Sequence, residues 1–210
     1  MNPSNIRRVG RPRREDHEFN PLVSLTAEER RNVFLDTAAE LFEGHGYAST
    51  SVSDITDALG LSKAIFYYYW KNKKEILLEI HSRAVKALNH DLDQVLAATA
   101  DPQERLTGLI KSHLMVIMRH RSLVAVLLGE AAYSEETLQA RRQYTNRVQR
   151  VVEAAIESGI VDAAYPAKLL TYALLGLLNS TAQWYRPDGP RSAEEITELY
   201  LRMAVRGCFT

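Results

Sequence analysis

Between Thr50 and Ile76 the chain reads TSVSDITDALGLSKAIFYYYWKNKKEI, and few folds can accommodate that pattern. Ser53 is the expected N-cap of a first helix, SDITDALG, with apolar Ile55, Ala58 and Leu59 on one face. Gly60 can take a positive φ at its end, and Leu61 can plug the corner. Ser62 then caps a second helix, KAIFYYYW. Two short helices joined by a glycine-containing turn of three or four residues make a helix-turn-helix, whose second member enters the major groove of DNA.

Aromatic residues at helical spacing are ordinarily core, and part of the cluster fits that view. Phe66 and Trp70 lie i,i+4 apart and should face inward with Ile55 and Leu59. Tyr67 and Tyr68 point away from that face, where a core helix gains nothing from two phenols. Beside Lys63, Lys71, Lys73 and Lys74 their hydroxyls suit phosphates and base edges, which argues for DNA.

At these positions the chain resembles the DNA-binding domain of the tetracycline-repressor (TetR) family of bacterial regulators. The resemblance is carried by Ala38-Ala39, Leu41-Phe42, Gly46-Tyr47, Thr50, Val52, Ile55, Ala58, Gly60, Ser62-Lys63, Tyr67 and Lys73, across residues 27–80. Ala64 stands where the family often has Gly, and Trp70 where it usually has Phe. The resemblance implies an all-α fold with a three-helix DNA-binding head and a larger body for ligand binding and dimerisation. It places DNA contacts at Thr50, Ser51, Ser62, Lys63, Ala64, Tyr67, Tyr68 and Lys73, with Thr50 touching the phosphate backbone.

Charge is distributed as a site-selective binder would have it. The 210 residues carry no formal net charge, yet residues 1–14 hold five Arg and no acid. Residues 15–75 hold six basic and eleven acidic side chains, and the remainder balances. The segment RRVGRPRR, with Arg11, Arg13 and Arg14 at its end, resembles the minor-groove arms of homeodomains and AT-hook segments. Residues 1–25, broken by proline and glycine, are therefore expected to form a disordered basic arm on DNA. An apolar content of 46% supports a real core for the rest. The single cysteine, Cys208, excludes an intrachain disulfide, and neither a signal peptide nor a membrane-length apolar run is present. A cytoplasmic protein is expected.

The remaining punctuation is helical throughout. Thr26-Ala-Glu-Glu29 is a capping box that starts a helix at Ala27, with Phe34, Ala38, Leu41 and Phe42 as its stripe and Gly44 to Gly46 as its end. Asn72 caps a long helix to about Ala97, with apolar Leu77, Ile80, Ala84, Leu88, Leu92 and Val95. Asp101-Pro102 opens a helix to about His120, and Leu123 to Leu128 is a short one. Further helices begin at Ser134, Pro166 and Ser192 and run to about Ser158, Tyr185 and Gly207. No strand pattern survives, so about nine helices are expected: a head over 26–75 and a body over 76–210.

Nothing in the body points to catalysis. No phosphate loop or nucleophile elbow is present, no cofactor is implied, and His113 and His120 lack an acidic residue at metal-ligand spacing. The helix from Pro166 to Tyr185 carries Asn179, Ser180, Thr181 and Gln183 after an apolar stretch, a polar patch suited to orienting a mainly apolar ligand. Met115, Met118, Tyr144, Asn179, Gln183 and Trp184 are the expected effector-pocket residues. Trp184-Tyr185-Arg186-Pro187 followed by Gly189-Pro190 resembles a subset of TetR regulators of fatty-acid or steroid breakdown, some of which sense acyl-CoA thioesters. That implies acyl-CoA or a lipid-like effector, with Arg119, Arg121, Arg141, Arg142 or Arg147 available to phosphates. The family also implies a homodimer through the last two helices, at Leu169, Ala173, Gly176, Leu177, Leu199 and Met203. A repressor released by effector is the leading reading. A DNA-bound activator, a nucleoid-type coating protein and an all-α lipid carrier without DNA function remain open.

Overall fold

The computed structural model describes residue 22 and residues 24–129, 133–162 and 164–206, with nine α-helices and no strand among them. The Arg cluster at residues 7–14, the helix end expected at Gly207, and Cys208 lie outside the described residues.

The head is built from three helices. α1 (Ala27–His45) starts at the Thr26 capping box, where the Glu29 amide donates to the Thr26 hydroxyl and Glu29 accepts from the Thr26 amide. The chain just before it belongs to the fold rather than to a free arm. Arg30 donates to the carbonyls of Leu22 (2.9 Å) and Leu25 (2.8 Å), fastening those residues to α1. α2 (Val52–Ala58) is capped by Ser51 and not by Ser53, because only Ser51 has an acid three residues on. Its hydroxyl accepts from the Asp54 amide, and Asp54 accepts from its amide at 2.7 Å. α3 (Lys63–Tyr69) follows the turn. Phe34, Phe42, Ile55, Phe66 and Trp70 fill the centre, with Phe34 edge-on to Phe66 at 6.1 Å and to Trp70 at 5.6 Å. On α2 the inward residues are Ile55 and Thr56, while Ala58 faces out.

α4 (Lys73–Ala98) begins in the head and continues through the body. α5 (Pro102–Arg119) lies at the body's centre, packed on α4, on α7 (Glu135–Glu157), on α8 (Ala167–Trp184) and on α9 (Ala193–Leu201). A π-helical turn, Arg202–Arg206, prolongs α9. α4 and α5 approach closely at Gly108, where a Cβ would stand 2.8 Å from a Val95 methyl. The short α6 (Arg121–Leu128) packs on α1 of the head as well as on α4 and α8.

Among the described residues, four polar contacts cross between head and body. Glu79 accepts from Arg31 (2.7 Å) and from the Trp70 indole (2.6 Å), Arg83 pairs with Asp36 at 3.0 Å, and Arg121 pairs with Glu43. Such partly exposed ion pairs stabilise by about 1 kcal/mol or less, so their main effect is to fix orientation.

Candidate nucleic-acid interface and body cavity

The turn between α2 and α3 is a Schellman motif. The Gly60 amide donates to Asp57 O (3.1 Å) and the Leu61 amide to Thr56 O (2.9 Å), with Gly60 at φ 61°. Leu61 is buried beneath the corner, which holds α3 at a fixed angle. Phe66 and Trp70 anchor one side of α3 in the core. The opposite side carries Ser62, Lys63, Ala64, Tyr67 and Tyr68, all exposed, with Tyr67 at 54% and Tyr68 at 78%. Ser62 keeps its hydroxyl free of any capping bond, so it too is available at this surface. Ser51 is exposed but its hydroxyl caps α2.

Thr50 and Lys73 differ from the expectation that their side chains reach out to phosphate. Thr50 is 1% exposed, and its hydroxyl donates inward to the carbonyls of Gly46 (3.0 Å) and Leu41 (3.3 Å). The Lys73 ammonium donates to Tyr47 O (2.6 Å) and Thr50 O (2.7 Å) and sits 4.3 Å from the centre of the Tyr47 ring. Both close the chain between α1 and α2, where carbonyls without helical partners need donors. Arg11, Arg13 and Arg14 lie outside the described residues.

The body holds a half-open cavity of about 70 Å³ reached by five helices. Apolar Val85, Leu88, Val124, Leu127, Leu128 and Leu175 line most of it, and His113, Tyr144, Thr145, Asn179 and Arg141 supply its polar wall. His113 is 2% exposed, its Nδ1 2.7 Å from the Tyr144 hydroxyl and its Nε2 3.0 Å from Asn179 Oδ1. Of the expected effector residues, the structure brings Tyr144 and Asn179 together here and leaves the others elsewhere. Met115 is 41% exposed, Trp184 is 48% exposed, and Gln183 faces out. Met118 lines an open cleft near α1 with Asp36, Arg83 and Pro187. Gln183 lies one turn beyond Asn179, exposed in the last turn of α8.

Burial holds His113 and His81 in their neutral form near pH 7. His113 is pushed down from 6.5 to about 4 by burial, against the upward pull of its bond to Asn179. His81, fully buried, is pushed down from 6.5 to about 4 by burial, against the upward pull of the Val126 backbone, with repulsion from Arg141 adding a smaller push down. Burial also pushes the Tyr144 phenol up. Between pH 6.5 and pH 4 the unfolded chain therefore binds protons that the folded chain refuses. Stability is fully present above about pH 6.5 and declines as the pH falls toward 4, by an amount on the order of 3 kcal/mol for His113 alone. The thermal midpoint should fall between pH 7 and pH 4.5, and His113→Gln should flatten that dependence. A midpoint equally pH-dependent in both proteins would refute this assignment.

A third surface lies on α8 and α9. Leu169 (55%), Tyr172 (54%) and Leu199 (53%) are exposed, as is Ala173, and nothing lies within 4 Å of where a Cβ on Gly176 would stand. Ala173, Leu177 and Met203 line a shallow apolar depression beside them. Among the described residues no cluster of three or more His, Cys, Asp or Glu could hold a metal, and no helix is long and apolar enough to cross a membrane.

A helix-turn-helix with an outward second helix, joined to a helical body that holds a half-open cavity, defines the class of DNA-binding regulators with a ligand-binding domain. Residues 34–80 match the family described as bacterial regulatory proteins, tetR family, and residues 99–208 match the tetracyclin repressor-like C-terminal domain. The chain belongs to the TetR family, whose members are transcription regulators and not enzymes. It is 28% identical over 184 residues to the transcriptional repressor KstR2 of Mycolicibacterium smegmatis, covering 85% of this chain and 90% of that protein. Among solved structures, PfmR, a TetR family regulator from Thermus thermophilus, is 34% identical with a TM-score of 0.75, covering 84% of this chain and 99% of its own. The ketosteroid transcriptional regulator KstR2 of Mycobacterium tuberculosis superposes with a TM-score of 0.78 at 25% identity, covering 87% and 96%.

Proposed function

We propose that the protein is a cytoplasmic repressor that binds a short two-fold operator as a homodimer and releases it when a mainly apolar effector enters the body. The observation that carries this reading is the exposure of Tyr67 and Tyr68 on a helix whose other side is sealed into the head. Ser51, Ser62, Lys63, Ala64, Tyr67 and Tyr68 make the DNA contacts, with Arg11, Arg13 and Arg14 following the backbone from the arm. The head spans 26–75 and the body 76–210. Dimerisation uses the exposed apolar face of α8 and α9, because one short helix reads few bases and two about 34–36 Å apart read a near-palindrome. Repression and an effector of steroid character are supported by the names borne by the KstR2 relatives, and an acyl-CoA by the resemblance carried by Trp184-Tyr185-Arg186-Pro187. Release follows only when the effector binds the DNA-incompetent conformation more tightly than the competent one.

Footprinting on the DNA flanking the gene tests the reading. One protected palindrome of roughly two half-sites is expected, lost on adding a steroid or acyl-CoA that also raises the thermal midpoint. Continuous coating of the DNA would replace the regulator with an architectural protein. Higher reporter expression with the protein present than without it would make it an activator.

A further inference from the structure

The cavity's polar wall is wired in one direction. A neutral His113 ring protonated on Nε2 donates to Asn179 Oδ1 and accepts from the Tyr144 hydroxyl, which satisfies all three groups. The reverse tautomer would strand the Tyr144 O–H, which has no second acceptor among the described residues. Asn179 lines the cavity, and with its oxygen engaged by His113 its NH₂ makes no hydrogen bond within the described chain.

Arg141 adds a second donor on the same wall. It stands one helical turn before Tyr144, half-buried, with its guanidinium 4.9 Å from the centre of the Tyr133 ring and no carboxylate partner among the described residues. Tyr133 stacks in turn at 5.0 Å on His81, which is fully buried and makes no well-formed hydrogen bond through either ring nitrogen. A half-buried cation with no counter-ion among the described residues is a costly arrangement that an incoming acceptor would relieve.

We propose that His113 is a positioning residue which fixes the amide of Asn179, so that Asn179 and Arg141 form a donor-only receptor for an oxygen-acceptor head group. The rest of the ligand lies against Val85, Leu88, Val124, Leu127 and Leu175. A carboxylate or a thioester carbonyl satisfies this receptor, and an amine is rejected because it brings donors to donors and a charge to Arg141. The cavity's about 70 Å³ holds a few waters, so a longer ligand continues into the open groove of about 410 Å³ between α4 and α7, which shares Val85 with it. This inference rests on the effector-responsive reading above and specifies its chemistry.

The test uses the full-length protein with hexanoate, hexanoyl-CoA and hexylamine, measuring dissociation constants by calorimetry and operator binding by anisotropy. Wild type should prefer an acyl probe over hexylamine by ~10-fold or more. Asn179→Asp retains an acceptor for His113 but replaces the donor with a negative charge. It should cut that preference by ~10-fold or more, whereas mere structural damage would weaken all probes together. His113→Gln should lower the preference less than Asn179→Asp, since it loosens the amide without removing it. Arg141→Gln should weaken hexanoate more than hexanoyl-CoA when the free acid is the ligand, and spare neither when both are. An unchanged preference in Asn179→Asp overturns the proposal, as does equal binding of hexylamine. No binding of any probe by protein that still holds its operator overturns it while leaving the regulator intact. Acyl binding without operator release keeps the receptor and removes the effector's role.

Discussion

Replacing Tyr68 with Ala is expected to lower operator affinity by roughly 30-fold to 10⁴-fold while leaving the fold in place. The magnitude comes from about 1–3 kcal/mol for each base-edge contact, counted once in each half-site of a symmetric complex. Tyr68 is the most exposed large side chain of α3, and its ring touches Tyr69 edge-on at 5.0 Å without entering the core. Truncation opens no cavity, so stability should change by less than about 0.5 kcal/mol. Tyr67 is a less clean probe, because its ring lies edge-on to buried Phe66 at 5.5 Å and its loss also removes packing. Lys63→Ala supplies the contrast. It should weaken specific and nonspecific DNA alike and reduce the salt slope by about 1 per protomer. Anisotropy titrations on operator and scrambled duplexes at several salt concentrations separate the two. Unaltered operator affinity in Tyr68→Ala would remove α3 as the reading helix.

The double substitution Leu169→Asp and Leu199→Asp should convert the protein to a monomer and weaken operator binding by ~100-fold or more. Both side chains are about half exposed in the single chain, so each protomer should keep its fold and its helical circular-dichroism signal. In a dimer the same carboxylates would be buried against apolar partners at a cost of several kcal/mol each. Affinity falls because the second half-site is then no longer tethered to the first, and a tether of this kind is worth about 10²–10⁴ in avidity. Light scattering at micromolar concentration and anisotropy on full and half operators provide the check. A dimer that survives both aspartates would place the interface elsewhere.

Much of the architecture was legible because its helices are punctuated chemically. The Thr26 and Ser192 capping boxes, the Asn72, Asp101 and Ser134 caps, and the stop at Gly159 all act through neighbouring backbone groups, which sequence spacing reports directly. Starting α2 at Ser53 sets it two residues late, although the spacing distinguishes the two serines: Asp54 stands three residues after Ser51, whereas Thr56 stands three residues after Ser53. What spacing does not report is which of two available partners a side chain takes. The Thr50 hydroxyl and the Lys73 ammonium could serve a phosphate or the carbonyls closing α1, and proximity across 23 residues of chain decides for the carbonyls. Nor does one helix reveal which neighbour it faces. Met115 and Met118 look alike on α5, yet one faces outward and the other lines the cleft near α1. The signal for the cavity lay in three isolated polar residues. His113, Tyr144 and Asn179 each interrupt an apolar face on a different helix, and only the packing of α5, α7 and α8 brings them within hydrogen-bonding distance.

The placement of α6 bears on how such a regulator works in a cell. Its first residue, Arg121, is bonded to Glu43 of the head, and Leu127 and Leu128 at its other end line the cavity. A helix of this length is a stiff strut of about 12 Å, so a push on one end arrives at the other. Traffic along it is reciprocal: whatever factor the small molecule takes from the grip on the promoter, the promoter takes from the grip on the small molecule. Under the function proposed above, copies seated on the operator respond at a higher effector concentration than copies drifting free.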